Sequence, residues 1–344
     1  MPMTTMPTLA PLAVALGDPA GIGPEIVAWA WTRASCKGLP PFFAIGDPAC
    51  LSAGGFGAWQ IIRSPDEARH VFARALPVLV VPGAGEITLG HPEPSGARVA
   101  LDSLEMGVGL AREGAAGALV TGPIGKAQMY EIGFNYPGAT EFVAERCGVA
   151  RDNVAMMMVS ETLITSPVTI HHALRDVFDA LTSDLIVSRG RAVAKALVRD
   201  FGITSPRLAV AGLNPHAGES GALGREEIEL IGPAVDALRE EGIDARGPLA
   251  ADTMFDARAR AGYDAALCMY HDQALVPIKT IAFDEGVNFT AGLPIVRTSP
   301  DHGTAYGIAG KGLARPDAMI AAIRLAGACA ARRGFDKLSM NGGT

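Results

Sequence analysis

Short apolar runs alternate with amphipathic stretches along the whole chain. Leu12 to Leu16 is apolar throughout and stops at Gly17, which predicts a buried strand. The loop GDPAGIGPE follows, and EIVAWAWTRA after it predicts a helix. PVLVV (Pro77 to Val81), GALVTG (Gly117 to Gly122), VAMMMV (Val154 to Val159), RLAVAGL (Arg207 to Leu213) and AALCMY (Ala265 to Tyr270) predict further strands. Helical spacing covers Gly96 to Glu113, Leu181 to Asp200 and Arg225 to Glu241. Strand and helix in alternation predict an α/β protein with a largely parallel, helix-covered sheet.

A second pattern concerns polar residues. His171 follows SPVTI, His216 follows AVAGLNP and His271 follows ALCMY, each where an apolar run opens into a loop. In open α/β sheets the carboxyl ends of strands are where ligands bind.

The chain has 344 residues, 49% apolar, 19% charged and 6% aromatic, enough for two domains with small side chains packing helices closely on strands. A formal net charge of -7 leaves no basic face for nucleic acid. Cys36, Cys50, Cys147, Cys268 and Cys329 form no CxxC pair and are odd in number, which points to a reducing compartment. Without a basic-then-apolar leader or an apolar run of about 18 residues, the expectation is a soluble, cytoplasmic protein with no membrane contact.

His171, His216 and His271 lie too far apart for a local metal finger, but three imidazoles suit a divalent ion and leave a position open for substrate. His172 competes with His171, because neighbours on an extended chain point to opposite sides. Asp252 and Asp272 are candidates to orient a ring or complete a shell around an ion. Lys279, Asn288 and Arg297 come at nine-residue steps and offer a clamp for phosphate or carboxylate. The loop at Gly21 and Gly23 has Ile26 and Val27 where a Rossmann fingerprint needs its third glycine, and no P-loop exists. DHGTAYGIAGKG (Asp301 to Gly312) is the better candidate for a cofactor loop. No GxSxG occurs, which disfavours covalent hydrolysis.

Taken together, the strings GDPAGIGPEI, VTGPIGKA, TEFVAE, VTIHHALRDV, LNPHAGESGALGREEIE, GPLAADTMF, MYHDQALVPIKTIAFDEGVN, GLPIVRTSPDHGTAY and IAGKG resemble the 4-hydroxythreonine-4-phosphate dehydrogenase family, in order from Gly17 to Gly312. The HGTA…IAGKG segment also resembles the adenosine-binding loop of isocitrate and isopropylmalate dehydrogenases. The resemblance implies two α/β/α domains flanking a central cleft rather than a Rossmann fold. One domain would hold residues 1–133 with 300–344, the other 134–299 with the metal and substrate residues and a homodimer interface. It implies His171, His216 and His271 as ligands of a divalent ion (zinc, magnesium or cobalt) shared across that interface, the register of HxxLRD choosing His171 over His172. Asp252 and Asp272 would support the ion. Thr140, Lys279, Asn288 and Arg297 would contact a small phosphorylated substrate, and His302, Gly303 and Ala305 would hold the adenosine end of NAD or NADP. The base is not identified by the sequence; Lys126 is one candidate and an ion-bound water another.

The implied reaction oxidises 4-phosphohydroxy-L-threonine to 2-amino-3-oxo-4-phosphooxybutanoate, which decarboxylates to 3-amino-2-oxopropyl phosphate in pyridoxal 5'-phosphate synthesis. Two positions depart from the family pattern. Ala139 stands where the family usually has a substrate-touching histidine. Gly307 stands where related dehydrogenases often carry an aspartate for the ribose hydroxyls. The alternatives are a related dehydrogenase of a cis-dihydrodiol or a phosphorylated sugar acid and, more remotely, a metal-dependent hydrolase using the same histidines.

Overall fold

A computed structural model of the protein describes residues 9–341. The chain forms two compact units, one of Met1–Cys147 with Pro294–Thr344 and the other of Gly148–Leu293. We call them the terminal and the middle unit. Strands in chain order are β1 (Leu12–Ala15), β2 (Phe42–Gly46), β3 (Trp59–Ile62), β4 (Leu76–Val80), β5 (Leu119–Thr121), β6 (Ala155–Val159), β7 (Ile164–Pro167), β8 (Arg207–Ala211), β9 (Asp244–Leu249), β10 (Ala265–Cys268), β11 (Val287–Ala291) and β12 (Arg297–Pro300).

In the terminal unit the strand order is β3-β4-β2-β1-β5-β12, and every pairing is parallel. Both faces of such a sheet are covered, so its inner strands are apolar without alternation. Every residue of β1 is buried, as is every residue of β2. The helix Pro94–Glu113 packs on β1 and β2. A Cβ on its Gly107 would stand 2.6 Å from Leu119 Cδ1, so glycine sets how closely helix and sheet approach. The helix Asp317–Asn341 packs on β12, where Thr298 Oγ1 donates to Ala322 O at 3.0 Å.

The middle unit has the order β11-β6-β7-β10-β8-β9. β6 pairs antiparallel with β11 and β7, whereas β7, β10, β8 and β9 run parallel. Its core includes Met156, Met158, Leu163, Met254, Leu275 and Ile278. Burying each such side chain contributes about 1.5–3 kcal/mol. The helix Ser183–Arg199 begins where Thr182 Oγ1 accepts Leu185 N–H at 3.2 Å. It lies close to the helix Gly232–Glu240 because Gly190 has no side chain where a Cβ would meet Leu238 Cδ1 at 2.8 Å.

The α/β architecture is as the sequence predicts, and three details differ. β2, β3, β7, β9, β11 and β12 join the strands read from apolar runs. β11 and β12 carry Asn288 and Arg297, polar residues that break the apolar signal. The helix expected over 225–241 opens as a π-helical turn, Glu227–Ile231, before Gly232–Glu240. Pro233 has no N–H for the carbonyl of Glu229, so the regular ladder cannot run through it.

The third difference is the boundary. The division falls after Cys147 and after Leu293, not at 134 and 299. Phe134, Tyr136 and Phe142 stack on one another with centroids 5.0–5.7 Å apart, and Arg146 pairs with Glu105 of the helix Pro94–Glu113 at 2.7 Å. β12 pairs with β5. These contacts bind Ala139, Thr140 and Arg297 to the terminal unit.

Candidate active site

Within the middle unit, β7, β10 and β8 are neighbours in that order and parallel, so their carboxyl ends open along one edge. The pairing of β7 with β10 continues past the strands: Val168 N donates to Cys268 O at 2.7 Å and Thr169 N to Met269 O at 3.2 Å. The Thr169 hydroxyl also donates to Met269 O at 2.8 Å. The two exits therefore leave the sheet side by side, and the rings of His171 and His271 stand 6.1 Å apart. Imidazoles sharing one zinc-sized ion have centroids about 5–6 Å apart, since each ring nitrogen lies about 2 Å from the metal. At 6.1 Å the two rings stand just beyond that span. The ring contact distinguishes His171 from its neighbour His172.

His271 opens the helix His271–Ala282, and its Nδ1 is 2.7 Å from Asp272 Oδ1. That contact turns Nε2 outward as the available nitrogen. Below it, buried Gln273 joins strand exits: Oε1 accepts Met269 N–H at 2.7 Å and Nε2 donates to Gly212 O at 2.8 Å. Gly212 N in turn donates to Leu249 O at 2.7 Å, tying the exit of β8 to that of β9.

His216 lies after β8 in the turn Pro215–Gly221 and is exposed. From His216 to Ser220 every φ is positive, between 44° and 79°. Four of those residues are not glycine, and left-handed backbone costs such residues about 1–2 kcal/mol each. The turn Ala251–Thr253, bearing exposed Asp252, packs against this one. Among the described residues no three His, Cys, Asp or Glu side chains come together as an ion-holding group. One chain thus assembles a pair of imidazoles, with His216 apart from it.

Lys279 lies two turns beyond His271 on the same helix. Asn288 stands on β11, and its Oδ1 is buried without a hydrogen-bond partner. A buried unsatisfied oxygen of this kind costs about 1–3 kcal/mol, which a ligand donor would recover.

In the terminal unit Arg297 is 4% exposed. Its guanidinium donates to Thr121 Oγ1 at 2.8 Å and to Thr140 Oγ1 at 3.2 Å. Burial pushes its pKa down to about 10, opposed by the charge of Glu141, so the group remains cationic at neutral pH. Ala139 and Thr140 open the helix Ala139–Arg146 after Gly138, and Ala139 presents only a methyl group there. Lys126 opens the helix Lys126–Glu131 and is exposed.

The proposed cofactor loop packs on the GDPAGIGPE loop. Ile22 N donates to Thr304 O at 3.0 Å, and Gly310 N to Glu25 Oε2 at 3.1 Å. Tyr306 Oη donates to Asp18 Oδ2 at 2.7 Å, while Asp18 Oδ1 accepts Ala20 N–H at 2.9 Å. Burial raises the pKa of Asp18, against the pull of those two hydrogen bonds. Ala305 adopts a left-handed conformation, φ 43°, and His302 Nδ1 is 3.1 Å from Gly303 O. Asp18, Glu25 and Tyr306 are supports that motif reading passed over; the signal was two acids in a glycine-rich loop. Burial pushes the Cys50 thiol up to about 12, which leaves it inert at neutral pH.

The family model described as pyridoxal phosphate biosynthetic protein PdxA matches residues 40–326. A 4-hydroxythreonine-4-phosphate dehydrogenase of Zymomonas mobilis subsp. mobilis is 56% identical over 316 residues, 92% of this chain and 94% of that protein. One from Caulobacter vibrioides is 54% identical over 332 residues, 95% of this chain and 99% of that protein. The crystal structure of a 4-hydroxythreonine-4-phosphate dehydrogenase from Klebsiella pneumoniae superposes with a TM-score of 0.84 at 35% identity, covering 94% of this chain and 98% of that one.

Proposed function

The chain belongs to the PdxA family of pyridoxal phosphate biosynthetic proteins, and from that premise we propose that it is a cytoplasmic 4-hydroxythreonine-4-phosphate dehydrogenase dependent on NAD or NADP and a divalent ion. The observation that carries this reading is the pairing of His171 with His271, whose ring is held by Asp272. No helix among the described residues is long and apolar enough to cross a membrane.

His171, His271 and His216 would hold the ion, with Asp252 and Asp272 as supporting carboxylates. A divalent ion so bound supplies Lewis acidity that makes a substrate hydroxyl easier to deprotonate. Arg297 anchors the substrate's phosphate as a fixed, partly desolvated cation, and Thr140 shares its hydrogen bond with that group. Lys279 adds a second cation and Asn288 a side-chain amide. Binding energy from the phosphate, remote from the reacting carbon, orients that carbon for transfer.

A nicotinamide bound at the glycine-rich loop of His302 would supply the hydride acceptor for the substrate's C–H, and Lys126 is this chain's candidate to take the hydroxyl proton. The product, 2-amino-3-oxo-4-phosphooxybutanoate, is a β-keto acid and loses carbon dioxide to give 3-amino-2-oxopropyl phosphate. His302, Gly303 and Ala305 lie on the loop that would receive the adenosine end of the cofactor. Because one chain brings two of the three imidazoles together, a homodimer sharing ligands between its subunits accounts for the third. The test is reduction of NAD and NADP, followed at 340 nm, on 4-phosphohydroxy-L-threonine with and without chelator. Chelator-sensitive turnover is expected, and absence of nucleotide reduction with any divalent ion would sink the reading.

Ala139 favours one second reading, a dehydrogenase of the same family acting on another diol. Its methyl group stands at the start of a helix beside Thr140, where it cannot donate a hydrogen bond.

A further inference from the structure

A loop that only connects two elements has no need of strained backbone, yet His216 stands in a full left-handed turn built largely from residues with side chains. Such a turn persists only where its surroundings over-determine it, and strain of this kind gathers at functional sites. Here two carboxylates grip the entry to the turn. Glu226 Oε2 accepts from Asn214 Nδ2 at 2.7 Å, and the buried Glu227 behind it also takes the backbone N–H groups of that entry. Glu227 is 4% exposed. Its Oε1 accepts Leu213 N–H at 2.8 Å and Asn214 N–H at 2.7 Å, and its Oε2 accepts from Asn214 Nδ2 at 3.0 Å. Glu227 therefore holds the entry to the turn through both backbone and side chain.

The turn is fitted around the same carboxylate. A Cβ on Gly218, in the middle of the turn, would stand 2.5 Å from Glu227 Oε2. Inside the sheet edge, a Cβ on Gly212 would stand 2.9 Å from Ala217 Cα. Gly212 O is also the acceptor for Gln273 Nε2, and Gln273 Oε1 takes the N–H of Met269, two residues before His271. A continuous run of backbone and hydrogen bonds thus leads from Glu227 to both His216 and His271.

We propose that Glu227 is a positioning residue for the divalent-ion site, fixing the left-handed turn that presents His216. The proposal rests on the reading of His216 as an ion ligand. Outer groups that orient ligands are worth about 10–100-fold in metal affinity.

The experiment titrates zinc into the metal-free full-length protein by calorimetry, comparing the parent with Glu227→Gln, Asn214→Ala and His216→Ala. Glu227→Gln and Asn214→Ala are expected to weaken zinc binding about 10–100-fold. Their turnover at limiting zinc should fall and return towards the parent's kcat at saturating zinc. A purely structural residue would lower the melting temperature of the metal-free form and leave zinc affinity alone. If Glu227→Gln does not fold, Asn214→Ala, compared with Glu226→Gln, decides the matter. Asn214→Ala keeps the buried carboxylate and both backbone donors, and Glu226→Gln separates out the bond that Asn214 Nδ2 shares with Glu226. Parental zinc affinity in both Glu227→Gln and Asn214→Ala, with affinity lost in His216→Ala, overturns the role of Glu227 and leaves His216 as a ligand. Parental affinity in His216→Ala shows instead that His216 is no ligand, and the proposal falls with it.

Discussion

The rings of His171 and His271 stand 6.1 Å apart, although each leaves a different strand. They meet because β7 and β10 are parallel neighbours whose pairing runs on through Val168 and Thr169. The pair is thus a property of the sheet rather than of either loop.

Asp272 Oδ1 lies 2.7 Å from His271 Nδ1, and as the acceptor of that hydrogen bond it leaves Nε2 as the available ring nitrogen. Asp272→Ala is expected to lower metal affinity about 10–100-fold. His271→Ala should lower it further, because a ligand itself is gone. Calorimetric zinc titration together with nucleotide reduction checks both, and equal affinity in Asp272→Ala and parent would remove its orienting role.

Arg297 is a buried cation between Thr121 and Thr140, and burial already disfavours its charge. Folded-state pKa below the unfolded value means the unfolded chain binds the proton more tightly, so this charge opposes folding at neutral pH. That opposition eases only as pH rises through about 10. A cost of this kind is retained where the charge is used. Arg297→Met is expected to keep or raise the melting temperature while raising KM for the phosphate ester about 10–100-fold, the worth of a charge-assisted hydrogen bond. Thermal melts and initial rates measure the two effects, and an unchanged KM would detach Arg297 from the phosphate.

Ala139 invites a gain-of-function test. Ala139→His restores a donor at the opening of the helix Ala139–Arg146. If the phosphorylated hydroxy-amino acid is the natural substrate, kcat/KM for it should rise about 5–150-fold, matching about 1–3 kcal/mol for one satisfied contact. A parent that oxidises a phosphate-free cis-diol and ignores the phosphate ester would favour the other reading.

Shared ligands make a prediction about mixed subunits. His171→Ala and His216→Ala chains, each inactive alone, are refolded together in equal amounts. Random pairing leaves about a quarter of the sites intact if the two ligands come from different subunits of a two-fold dimer. No recovery, with mixed dimers demonstrated by mass, would place both ligands in one subunit.

Half of the strands were legible along the chain because buried strands must be apolar. β1, β4, β5, β6, β8 and β10 all appear as apolar runs within a residue or two of their ends. β11 and β12 were hidden by Asn288 and Arg297, since a residue chosen to meet a ligand breaks the pattern that burial imposes. Motif spacing likewise brought out the histidines and the clamp residues but not Glu227, whose sequence setting is that of any acid on a helix.

What the chain determined by itself is therefore local and periodic: which runs are buried, which loops are glycine-rich, where polar groups follow strands. Strand order, and with it the meeting of His171 and His271, depended on tertiary structure, as did the placing of Thr140 and Arg297 in the terminal unit. The physical reason is that side-chain alternation and apolar content report burial of a segment, while pairing between distant segments is decided by which surfaces fit when the whole chain packs.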